Sequence, residues 1–181
     1  MARVLDVPFA ELTAEQKRVY QEIAAPRNGH VRGPFAIWMR NPDVADRANQ
    51  FANALRLHGK LEKRLFELMV LVVARHWSAQ YEWFAHVPSA LKEGILPEVV
   101  EAIRNRRLPK FAREDEQLIY EIVTELTETR TLSQGSYDRA LAALGLDLLI
   151  ELITAAGFYS MIAMVLNTFE APVPDGSRPL L

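Results

Sequence analysis

The chain has 181 residues, half of them hydrophobic, which is enough to bury a core of ordinary size as a single domain. Its 21 Lys and Arg against 23 Asp and Glu give a net charge of −2 at pH 7, so nothing draws it at long range to nucleic acid or an anionic membrane. The absence of cysteine excludes disulfides, thiolate metal sites, iron–sulfur clusters and thiol nucleophiles.

The N-terminal stretch is broken by Asp6, Pro8 and Glu11 and has no signal-like apolar run, so a cytoplasmic location is expected. Thr13, with Gln16 three residues on, forms a capping-box pattern that predicts a helix over residues 14–25. The next segment holds Pro26, Gly29, Gly33, Pro34 and Pro42, too many breakers for regular structure. It reads as a long ordered loop anchored by Phe35, Trp38 and Met39, either core anchors or the wall of a binding site; His30 also lies there and could line a pocket.

From Asp43 to His58 the apolar spacing is partly helical, with Gly59 as terminator. The stretch "KLEKRLFELMVLVVARHW" begins amphipathic and becomes apolar nearly all round, as in the central helix of a bundle, except at Glu67. In "SAQYEWFAHVPSALKEG" Ser78 is placed to cap a helix, Gly94 to end it and Pro88 to kink it. "LPEVVEAIRN" adds a short helix with Pro97 in its first turn. "AREDEQLIYEIVTELTET" and the Ser-capped "SQGSYDRALAALG" are further amphipathic helices, and Gly145 separates the latter from an apolar C-terminal one.

Residues 152 to 169 carry no charge and approach membrane-spanning length. Thr154, Ser160, Asn167 and Gly157, with Glu151 and Glu170 at the borders and no basic flank, favour a buried core or interface helix. The tail "APVPDGSRPLL" reads as an extended arm. No convincing strand pattern occurs, so the fold class is all-α: one domain over 1–181, with an N-terminal helix and aromatic loop (1–42), a helical core (43–169) and a C-terminal arm (170–181).

Glu82 and His86, four residues apart, share one helix face among Tyr81, Trp83, Phe84 and Val87. They form either a functional pair or a packing contact. Glu67, flanked by Leu65, Phe66, Leu68 and Met69, needs a partner or a proton if buried; His86 is the obvious partner, and such a pair suits either proton shuttling near neutral pH or a structural ion pair. There is no HExxH, the Glu82-to-His86 spacing is one residue too long for the di-iron bundle motif, and no phosphate loop, nucleophile elbow or dinucleotide fingerprint occurs. The expectation is therefore no metal and no cofactor.

The run "LEKRLFELMVLVVARHWSAQYEWFAHVPSALKEGI", followed by "GFYSMIAMVLNTFEAPVP", resembles the carboxymuconolactone decarboxylase family, which includes the AhpD-like alkylhydroperoxidases; the likeness extends over about residues 35 to 174. In the thiol peroxidase branch a Glu precedes a Cys-x-x-Cys pair and a His, and by that spacing Glu67 and His86 match the Glu and the His. Ala79 and Glu82 replace the two cysteines, so the resemblance does not extend to thiol chemistry. The decarboxylase branch, with a carboxylate at the Glu82 position, implies cofactor-independent acid–base chemistry, that of a lyase/decarboxylase or an isomerase, on a small carboxylated lactone or aromatic-derived acid. Glu67, Glu82 and His86 are then the expected catalytic set, and Phe35, Trp38, Tyr81, Trp83 and His30 the expected substrate contacts. The family also implies an AhpD-like helical bundle assembled as a homo-oligomer (trimer, hexamer or dimer), with a small-molecule substrate and no nucleic acid or membrane partner. Competing readings are a non-catalytic ligand-binding member that has lost the peroxidase thiols, and a metal-dependent hydrolase or oxygenase.

Overall fold

The computed structural model describes residues 2–4, 6–174, 176 and 181. The described chain is all-α, with eight helices and no strand. They are α1 (Ala14–Ala24), α2 (Pro34–Trp38), α3 (Pro42–Leu57), α4 (Lys63–His76), α5 (Gln80–Lys92), α6 (Pro97–Arg104), α7 (Glu114–Thr129) and α8 (Gln134–Thr168). Backbone contacts gather these elements into two compact units: residues 1–59 with 165–172, and residues 60–164 with 173–181.

In the first unit α1 begins where the sequence places it, with the Thr13 side chain accepting from the Gln16 amide and the Gln16 side chain reaching back to the Thr13 amide. Val19 and Ile23 are its buried residues, and it packs on α3, whose buried positions include Ala45, Ala48 and Ala52. The segment expected to lack regular structure contains a 3-10 turn (Ala25–Arg27) and α2. Gly33, at φ 59°, turns the chain with a torsion that favours glycine, and Pro34 at the first helical position has its φ already set. The subdivision expected after residue 42 lies inside this unit.

In the second unit α4 is central: every residue from Arg64 to Ala74 is buried, and the helix packs on α5, α6 and α7. Helices α4, α5 and α6 end in the same way. A residue with left-handed torsions follows each (Ser78, Gly94, Arg106), its amide bonds back to Arg75, Leu91 or Ile103, and the next amide reaches Ala74, Ala90 or Ala102. This corrects the expectation for Ser78. At φ 49° it terminates α4 and does not cap α5, whose N-cap is Ala79 with no side-chain bond.

Arg64 is buried at 3% exposure and is held at 2.6 Å by both Glu116 and Asp115 of α7, with Glu62 at 3.1 Å. Ser133 caps α8 through the Ser136 amide. Gly145, at φ 74° and ψ 167°, interrupts α8 at the expected position. By length and composition α8 could cross a membrane, and 44% of its most apolar window is buried in the structure. Glu151 accepts the amides of Lys60 and Leu61 at 2.9 Å, tying α8 to the entrance of α4. Much of the expected C-terminal arm lies outside the described residues.

Candidate active site

The apolar sequence of α4 places Glu67 inside the second unit at 6% exposure, between Phe66 and Leu68. Its Oε2 lies 2.7 Å from Nδ1 of His86, which is 8% exposed on α5. With Nδ1 engaged by the carboxylate, Nε2 is the ring nitrogen available for chemistry. The ring of Tyr159, on α8, stands edge-on to the imidazole at 5.3 Å between centroids and edge-on to Phe66 at 5.5 Å. These contacts fix the ring plane as well as the Nδ1 hydrogen bond.

Glu82 occupies the first turn of α5 at 2% exposure, and neither carboxyl oxygen has a partner among the described residues. Burial pushes its pKa well above the ordinary carboxylate value. The helix N-terminus opposes that shift with about 0.3–1 kcal/mol, whereas an unpaired charge out of water costs several kcal/mol. Desolvation outweighs the helix terminus, so burial favours the protonated, neutral form of Glu82. It is one turn before His86 on the same helix face. The site therefore combines an oriented imidazole, a carboxylate bonded to it and a buried carboxylic acid able to donate a hydrogen bond.

Ala79, at the α5 N-cap, is fully buried. Neither Ala79 nor Glu82 is a cysteine, so the first turn of α5 holds no thiol. Trp83 is buried on the same helix and Tyr81 is half-buried. Phe35 and Trp38 belong to the first unit, buried edge-on to each other at 5.4 Å, with the Arg27 guanidinium 4.4 Å over the Phe35 ring; His30, also there, is exposed. Among the described residues no three His, Asp or Glu side chains are gathered as a metal-binding group.

Residues 42–114, from α3 to the start of α7, match the model of the carboxymuconolactone decarboxylase family. This segment is similar to that family. It contains Glu67, Ala79, Glu82 and His86, and is shorter than the stretch over which the sequence likeness was drawn. No curated protein matches the chain significantly. Tyr159 lies beyond the matched segment and had been given no role from sequence; a phenol inside the uncharged apolar stretch 152–169 was the signal available.

Proposed function

We propose that the protein is a cofactor-independent lyase that decarboxylates a small carboxylated lactone or aromatic-derived acid. The observation that carries this reading is the buried 2.7 Å contact between Glu67 and His86 in a family segment without thiols. Breaking the bond to the carboxylate leaves its electron pair on carbon, where a conjugated carbonyl of the substrate absorbs it. The protein then has to orient the leaving carboxylate, exclude water and deliver one proton. His86 delivers the proton from Nε2, Glu67 holds the imidazole in place, and the neutral Glu82 donates a hydrogen bond to the oxygen on which charge develops. Tyr81 and Trp83 contribute the apolar wall.

We further propose that the chain is a soluble cytoplasmic homo-oligomer. Leu146, Ile150, Met161 and Met164 of α8 are 41–56% exposed and fall on one helical face together with the exposed Gly157. An apolar stripe of this kind suits a second copy of the chain.

The test is CO2 release from a panel of carboxylated unsaturated lactones. Wild type should release CO2, and His86→Gln should lower the rate by about 10²–10⁴, the usual contribution of a positioned general acid. Failure of the whole panel with folded protein would shift the reading to a ligand-binding member of the family without turnover.

A further inference from the structure

The second unit contains another cavity, of about 120 Å³, between the end of α4, the end of α6 and the face of α7. Its walls include Arg75, His76, Arg106, Tyr120, Thr124 and Glu128. We propose that this cavity binds a small oxyanion, inorganic phosphate or the phosphate of a phosphomonoester, between the guanidinium groups of Arg75 and Arg106.

Three observations carry the assignment. Neither arginine is neutralised by an ion pair among the described residues: Arg75 donates only to the Arg104 carbonyl at 2.7 Å and the Ser78 hydroxyl at 2.9 Å, and Arg106 has no carboxylate partner. Burial first, and then the like charge of Arg106, lower the pKa of Arg75, so the two guanidiniums stand close enough to repel. The hydroxyl of Thr124, on the same wall, is buried and without a partner, whereas the neighbouring Thr127 hydroxyl is taken up by the Val123 carbonyl. Two unneutralised guanidiniums lining one small cavity, with a spare hydroxyl buried in its wall, are donors that a tetrahedral oxyanion accepts from.

Arg106 is also held with left-handed torsions, at φ 54°, at the helix-ending position where α5 uses Gly94. That is where glycine fits without strain. An arginine there adds a cation to the cavity lining where glycine would give an easier backbone.

Arg106→Gly separates the two roles, because it removes the charge and relaxes the backbone together. Phosphate binding is measured by calorimetry and by the rise in Tm over sodium chloride of matched ionic strength. Wild type should bind phosphate saturably. Arg106→Gly should melt no lower than wild type in chloride and lose at least tenfold in phosphate affinity, with Thr124→Val weakening it further. Phosphate no better than matched chloride, or an unchanged affinity in Arg106→Gly, overturns the assignment. Methyl phosphate distinguishes the sources: binding equal to that of inorganic phosphate assigns a monoester, and exclusion assigns the free ion. The catalytic reading stands or falls separately, since none of these residues takes part in it.

Discussion

At the scale of single residues the decisive feature is that two buried glutamates of the matched segment have opposite surroundings. Glu67 is bonded to an imidazole, and Glu82 is bonded to nothing described. Because burial raises the folded-state pKa of Glu82, the folded protein retains a proton that the unfolded chain has released above its ordinary value of about 4.3. Stability from this group is therefore complete below that value and is lost as pH rises toward the folded pKa, by at most about 1.4 kcal/mol per pH unit. Glu82→Gln should abolish that slope: denaturant unfolding at pH 5 and pH 8 should show the variant gaining on wild type at the higher pH, and an unchanged gap would contradict a buried neutral acid. Glu67→Ala leaves the imidazole nitrogen buried without its acceptor, which should cost about 1–3 kcal/mol in the same experiment. Sequence pattern was enough to pair Glu67 with His86, because a carboxylate on an otherwise apolar helix needs a partner. It did not show that Glu82 lacks one, since burial of an i, i+4 neighbour depends on the opposite wall and not on the helix that carries it.

At the scale of elements, the junction of α4 with α7 rests on an ion-paired arginine that sequence alone would place on a surface. Removing the guanidinium by Arg64→Leu leaves Glu116, at 2% exposure, as an uncompensated buried charge and should cost about 3–5 kcal/mol. Glu116→Gln should cost clearly less, because Asp115 and Glu62 still balance Arg64; equal losses would refute the shared arrangement. The hydrogen bond from Arg64 holds Asp115 below the usual carboxylate range. Its contribution is accordingly present above about pH 3.9 and disappears as pH falls through the depressed value. The helices were legible where local chemistry decides them, as with the Thr13 capping box, Pro97 opening α6 and Gly145 breaking α8. They were illegible where it does not: α2 has only five residues, too few for a periodic signal, and Ser78 is a good cap by type yet is used for its torsions. Tyr159 escaped notice for a related reason, as its partner rings come from helices far away in sequence.

At the scale of the whole molecule, the charge balance imposes no long-range attraction, so the assembly proposed above would rest on apolar contact. If the exposed stripe on α8 joins copies of the chain, Ile150→Glu combined with Met164→Glu should yield folded monomers by light scattering; an unchanged mass would place the interface elsewhere. The torsions of Gly145 lie in a region open essentially to glycine alone, and a Cβ there would meet no atom within 4 Å. Gly145→Ala should therefore cost about 1–3 kcal/mol through backbone strain alone. The same break has a consequence in time. Amides just after residue 145 begin a new helix and lack the acceptors a continuous helix would give them, so in deuterated solvent they should exchange early. Those near Leu152, Ala155 and Ala163, fully buried, should retain hydrogen longest, so that α8 opens as two cooperative segments and not as one.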